Sequence, residues 1–202
     1  MRKISYGIYA EDEANKIFVT NAIQQLVLHL GYKEKATFER EEEFTAMAVA
    51  KSSDFIIETF TARCITGIRR FGLDICFVCL DCEDRDYEKT TQKMFRAITH
   101  HGLTQNQVVI SVAVQSIEYW LWYLKTKNEN ALLTETPKIE TNTTRAEMKT
   151  AIYGSKKATN KVSNPIVENL SQSIDFEWLT HHSESFNDFY EQVKILLKNI
   201  AN

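Results

Sequence analysis

Three apolar, β-favouring segments of this chain are each followed by carboxylates. Those carboxylates are Glu11, Asp81, Glu83 and Glu118. Carboxylate oxygens are the ligands that Mg²⁺ prefers, and a bound Mg²⁺ can orient a water molecule and stabilise a phosphodiester transition state. The residue types therefore favour a hard-cation site that does phosphodiester chemistry, provided that the fold brings these acids together.

The same acids also have an interpretation without chemistry. Negative side chains are favoured at helix N-termini by the helix dipole, and both Glu11 and Glu118 stand at the start of a predicted helix. Asp84 and Asp86 extend the acidic loop after Glu83, where they are either supporting acids of a cation site or members of a solvated loop. Spacing alone leaves both interpretations open.

The cysteines near this loop do not favour a zinc site. Cys76, Cys79 and Cys82 are spaced by three, and the first two lie on a predicted strand. Residues three apart on a strand point to opposite faces, so these thiols do not converge on one ion. We expect buried, reduced cysteines that pack as small apolar residues.

The order of predicted elements indicates an α/β fold with a mostly parallel central sheet flanked by helices. Strands are predicted at 3–10, 74–80 and 107–114, and helices at 13–30, 87–101 and 116–125. A further predicted helix runs through "DFIIETFTARCITGIRRFG", with Ser52 or Ser53 as its N-terminal cap, Arg69 and Arg70 in its last turn and Gly72 past its end. The two later strands are continuous apolar runs, which is typical of strands buried on both faces. Ligands of such sheets bind beyond the carboxyl ends of the strands, where the acids stand.

Three parts of the chain differ in composition. Residues 1–126 form the predicted α/β core, 127–172 a polar insertion that is partly helical around 144–153, and 173–202 a C-terminal segment whose last helix packs on the core. The charged segment 32–50 fits either a strand or a short helix.

Composition limits the classes of partner. The 202 residues are 44% apolar with a net charge of −3, which argues against a broad basic surface for nucleic acid. A local basic group in the insertion is the best candidate for contacts with a phosphate backbone: Arg145, Lys149, Lys156, Lys157 and Lys161. Residues 1–19 lack the apolar run of a signal peptide, and no segment has the length of a membrane span, so we expect a cytoplasmic protein.

The chain also resembles a known family. "IYAEDEANKIFVTNAI", "ICFVCLDCEDRD" and "ISVAVQSIEYWLWYL" are similar to three successive blocks of the small TOPRIM (topoisomerase–primase) domain proteins related to OLD-family nucleases. The resemblance implies a TOPRIM-like fold and a nuclease that uses Mg²⁺ or Mn²⁺ to cleave DNA or RNA. It further implies a place in a bacterial anti-phage defence or toxin module, with an ATPase as a partner protein.

By this resemblance Glu11 takes the place of the first-motif Glu, an acid/base or metal ligand. Asp81 and Glu83 take the D-x-D positions that hold Mg²⁺, and Glu118 takes the later acidic position. The chain departs from the family at Asp12, where a Gly is usual, and at Asn15, where a second Glu is usual. These departures favour an alternative, a catalytically weak or inactive TOPRIM fold that serves as an interaction or sensor subunit. The oligomeric state stays open.

Overall fold

The computed structural model describes residues 2–48, 50–140 and 142–201. Four strands form one parallel sheet: β1 (Arg2–Ala10), β2 (Ala36–Arg40), β3 (Ile75–Asp81) and β4 (Val108–Ala113). The strand order is β2-β1-β3-β4, with Ala10 beside Cys79 and Asp81 beside Ala113. The α/β class and the parallel sheet predicted from the sequence are confirmed.

Nine helices are formed by the described residues. They are α1 (Glu13–His29), α2 (Glu42–Met47), α3 (Ser53–Phe71), α4 (Tyr87–His100), α5 (Glu118–Glu129), α6 (Arg145–Tyr153), α7 (Asn160–Ser171), α8 (Phe176–His182) and α9 (Glu184–Ala201). Helix α3 shows both expected end signals, because the Ser52 hydroxyl accepts the Phe55 N–H and Gly72 adopts a left-handed φ of 67°.

The helices cover both faces of the sheet. One face packs against α1 and α5–α9, and the other packs against α2–α4. Cys79 lies in the first of these cores and Cys76 in the second, as the alternation of a strand requires. All four cysteines are free and buried, which agrees with the predicted packing role.

The two edge strands of the sheet, β4 and β2, have different neighbours. Along β4, the side-chain amide of Gln192 on α9 donates to the Ile110 carbonyl at 2.9 Å and accepts the Ile110 N–H at 3.0 Å. This amide takes the place of a neighbouring strand. The β2 edge instead borders a groove of about 430 Å³ lined by Leu28 and Phe38, among other residues.

Two parts of the chain differ from the sequence-based expectation. The undecided segment 32–50 contains both alternatives, β2 and then α2, while position 49 lies outside the described residues. The insertion holds a second helix, α7, where long loops were expected. Pro165 lies inside α7, and Pro normally interrupts a helix, so the polar composition and the Pro concealed this element.

Within the described ranges, no helix combines the length and the apolar character that crossing a membrane would require.

Candidate functional site

The candidate site lies where the chain changes direction across the sheet. From β1 the chain passes through α1 to β2 on one side, and from β3 it passes through α4 to β4 on the other. The carboxyl ends of β1 and β3 are neighbours, and a crevice opens at such a switch point. Glu11 directly follows β1, and Asp81 is the last residue of β3.

Asp81 is the buried centre of this crevice, with a side chain only 2% exposed. Its Oδ1 accepts the backbone N–H of Ile117 at 3.1 Å, just before α5 begins, and its Oδ2 accepts from Arg145 Nη2 at 2.9 Å. Burial raises the pKa of Asp81 well above its usual value, and the nearby acids Asp12 and Glu118 raise it further, while Arg145 opposes them. A carboxyl in these surroundings is typical of a functional site.

Of the two positions that depart from the motif of the resembled family, Asn15 contacts Asp81, and Asp12 lies close enough to raise the pKa of Asp81. Asp12 caps α1 by accepting the Asn15 backbone N–H at 2.9 Å and the Asn15 side-chain amide at 3.1 Å. The same amide reaches Asp81 Oδ1 at 3.5 Å. Asn15 is therefore a buried neutral donor between two carboxylates, and Asp12 is an additional acid of the site that sequence reasoning did not include.

Ser53 joins Glu11 to β3. Its hydroxyl lies within hydrogen-bond distance of the Glu11 carboxylate and at 2.9 Å from the Asp81 carbonyl oxygen, and it donates its single proton to one of them at a time. The structure thus brings Glu11 and Asp81 together. Ser53 was considered from the sequence only as a possible cap, since nothing in the chain indicates that α3 begins beside β1 and β3.

Glu83 reaches the same place through an unusual backbone conformation. Strand β3 ends at Asp81, and Glu83, two residues later, has a φ of 54°. Gln115, which accepts the Glu83 N–H at 2.9 Å, also has a left-handed φ of 60°. Such conformations are unfavourable for non-Gly residues and are concentrated at functional sites.

Arg145 joins Asp81 and Glu83. Its Nη2 donates to Asp81 at 2.9 Å, its Nη1 donates to Glu83, and its Nε is buried with no hydrogen-bond partner among the described residues. Arg145 is the first residue of α6, whose start is fixed by a capping box between Thr144 and Glu147. The sequence identified Arg145 as a phosphate contact, but its ion pairs with residues over 60 positions away were not foreseen.

Glu118, the first residue of α5, lies beside Lys149, which is one turn after Arg145 on α6. Its side chain is 5% exposed, and Oε1 is 3.8 Å from Lys149 Nζ. Its Oε2 and the hydroxyl of Tyr153 are buried and form no hydrogen bond within the described part of the chain. Burial, followed by the negative charge of Glu118, raises the pKa of Tyr153. The Oε2 atom of Glu118 is therefore available to accept a hydrogen bond or to bind a cation.

The remaining predicted residues lie further out. Asp86 caps α4 by accepting the Lys89 N–H at 3.0 Å, and the exposed Asp84 borders a cleft of about 640 Å³ together with Arg145. The exposed lysines of the predicted basic group lie after α6 and on α7. They are Lys156, Lys157 and Lys161.

The site is thus rich in carboxylates without being a finished metal centre. Among the residues that the structure describes, no three His, Cys, Asp or Glu side chains are placed to hold one ion. The donors present are oxygen ligands that suit a hard cation, but a guanidinium stands between Asp81 and Glu83. Comparisons of the chain with protein-family models, curated proteins and solved structures find no significant match.

Proposed function

We propose that this chain is a Mg²⁺-dependent enzyme of the TOPRIM type that cleaves phosphodiester bonds in DNA or RNA. The observation that carries the proposal is the burial of Asp81 at the junction of β1 and β3, within reach of three further acids. Those acids are Asp12, Glu118 and Glu11. Burying like charges together is unfavourable unless cations compensate them, so the arrangement is better explained by function than by stability.

The residues present fit Mg²⁺ in their chemistry. Glu11, Asp81 and Glu83 would hold the ion, but in this structure they are not placed around one point and would have to converge on it. The Oε2 of Glu118, which has no hydrogen-bond partner among the described residues, would be available to a bound water molecule. When bound, Mg²⁺ supplies charge stabilisation of the phosphoryl group and a more acidic water. The ion requires that the Arg145 guanidinium leave its position between Asp81 and Glu83.

The side chains of the site divide the remaining tasks. Ser53 holds the Glu11 carboxylate near Asp81, which orients a general acid/base toward the crevice. Lys149, partly exposed beside Glu118, and the exposed lysines after α6 carry positive charge for phosphate oxygens. These contacts are with the phosphate backbone, which DNA and RNA share, so the proposal includes both as substrates.

The test is cleavage of labelled single- and double-stranded DNA and RNA with and without Mg²⁺ or Mn²⁺. Asp81→Asn combined with Glu11→Gln should lower the rate by at least about a hundredfold, because it removes two acidic ligands. Asp74→Asn is the matched control, since Asp74 stands just before β3 at the opposite end of the sheet. Cleavage without metal, or full activity of the double variant, would contradict the proposal.

One observation favours a second candidate function, an inactive TOPRIM fold that serves as an interaction or sensor subunit. Arg145 already forms ion pairs with both Asp81 and Glu83 and thereby occupies the place of a catalytic cation. Isothermal calorimetry separates the two candidates. If no divalent ion binds and the chain co-purifies with a stable protein partner, the second function replaces the first.

A further inference from the structure

The guanidinium of Arg145 has the position that a shared cation would have. Its two Nη groups donate to different carboxylates, to Asp81 at 2.9 Å and to Glu83. A planar fork with fixed donors matches carboxylate oxygens closely, and its charge-assisted hydrogen bonds are stronger than neutral ones. In the absence of metal, Arg145 is therefore the ion that holds Asp81 and Glu83 together.

Nothing else in the described contacts fixes this guanidinium. Its Nε, although buried, has no partner among the described residues, so the side chain is held through its Nη groups alone. Arg145 is the first residue of α6 and follows the segment 130–144, in which the described residues form no helix or strand. The side chain is 30% exposed and borders the cleft of about 640 Å³. The guanidinium thus has room to move without disturbing the core.

The charges around it favour an exchange. Arg145 brings one positive charge to a region that also contains Asp12, Glu118 and Glu11, and all three of these acids act on Asp81. A divalent ion at the same place compensates the carboxylates more completely. The released guanidinium is weakly hydrated and well suited to phosphate oxygens, and the cleft beside α6 can receive such a group.

We propose that Arg145 is an internal cation that occupies the divalent-ion position in the metal-free chain and swings into the cleft beside α6 when the ion binds. The inference rests on the proposed function for the identity of the ion. It adds that the chain regulates its own affinity for metal, because every ion that binds must displace an ion pair.

The test measures metal binding rather than cleavage. Titration of the full chain with MgCl₂ or MnCl₂ by calorimetry, above neutral pH, compares wild type with Arg145→Gln. The variant should bind at least about tenfold more tightly, equivalent to about 1.4 kcal/mol, because no guanidinium has to leave. Arg145→Lys, which keeps the charge but loses the fork, should lie between the two.

Arg85→Gln is the matched control. Like Arg145, Arg85 forms an ion pair with Glu83, at 3.3 Å. The second carboxylate that pairs with Arg85 is the exposed Asp54 rather than a buried one. Its removal should change metal affinity by no more than about twofold, as expected for a surface pair. Circular dichroism establishes that each variant is folded, and if Arg145→Gln is not, the smaller increase expected for Arg145→Lys decides the question.

The outcomes separate this inference from the proposed function. Unchanged or weaker binding by the folded Arg145 variants, with binding by wild type, overturns the inference and leaves the metal-dependent function standing. An equal increase for Arg85→Gln also overturns it, since general loss of positive charge then explains the effect. Absence of binding in wild type and variants alike removes both.

Discussion

One aspartate ends β3 and a second precedes α4, and the two have opposite surroundings. Asp81 has a nearly inaccessible side chain and several acidic neighbours. Asp86, five residues later, has an exposed side chain that caps α4 and pairs with Lys89 at 3.0 Å. Their pKa values move in opposite directions, upward for Asp81 through burial and downward for Asp86 through its hydrogen bonds with Lys89.

The difference separates Asp86, an acid with an ordinary structural role, from Asp81, the acid at the centre of the proposed site. Asp86 stabilises a helix start, a role that any exposed cap performs with ordinary energetics. Asp81 is costly to bury and gains only partial compensation from Arg145 and the Ile117 N–H. A cost of this kind is retained at binding and catalytic sites, which makes Asp81 the residue to alter first.

The largest expected effect is the difference in stability between two variants, each of which removes the cation partner of one aspartate. Arg145→Ala leaves Asp81 buried beside other acids and should lower the free energy of unfolding by about 2–4 kcal/mol without metal. Lys89→Ala removes the partner of Asp86, an exposed pair, and should have no measurable effect. Urea unfolding of both variants measures the contrast. Equal stabilities of the two variants would mean that Asp81 is compensated by other groups.

A smaller effect should appear in the pH dependence of stability. Because the folded-state pKa of Asp81 is raised, the native state binds its proton more tightly, and this contribution falls as pH rises from about 4 through that folded-state pKa. Because the folded-state pKa of Asp86 is lowered, its contribution is present above about pH 4 and disappears as pH falls through that folded-state pKa. Asp81→Asn should therefore gain relative to wild type as pH increases, while Asp86→Asn should lose.

Urea unfolding across the acidic to neutral range checks these signs. The two differences from wild type should change in opposite directions between acidic and neutral pH. Parallel changes would show that the two aspartates experience the same environment, in conflict with the structure.

The smallest effect concerns the backbone conformation of Gln115, which pairs with Glu83 in the loop between the two aspartates. Gln115 has a φ of 60° where it pairs with Glu83, so Gln115→Gly removes an unfavourable conformation and should stabilise the chain by up to about 1 kcal/mol. Gly102→Ala is the opposite substitution at a φ of 71° with open space around it, and should destabilise by about 1 kcal/mol. Thermal unfolding measures both. A destabilised Gln115→Gly would indicate that the side chain of Gln115 contributes more than its backbone costs.

The sheet and the place of the site followed from local patterns in the sequence. Residues 74–80 form a continuous apolar run, which is a strong signal of a buried parallel strand, and carboxylates after it are visible without knowing any contact. The interpretation as a site required that the fold bring the acids together, and the strand order places β1 beside β3. Helix α7 was missed because its polar surroundings and Pro165 argue against a helix, and tertiary packing stabilises it nevertheless.

The partners of the acids depend on distant parts of the chain. Arg145 meets Asp81 because the start of α6 lies at the end of β3, and Ser53 meets Glu11 because α3 starts at the same edge. Asp12 and Asn15 were recognised as departures from a motif, but the contact of Asn15 with Asp81 depends on the register of β1 against β3. One-dimensional spacing contains none of these distances.

The amide of Gln192 against Ile110 has a practical consequence for anyone who shortens or fuses this chain. Strand edges with open N–H and C=O groups are templates for pairing with other molecules. A truncation that removes α9 would expose the edge of β4, so that the sheet would have two edges open to pairing, at β2 and at β4. Recombinant forms of the chain should therefore retain α9, and purification tags are better separated from it by a flexible linker.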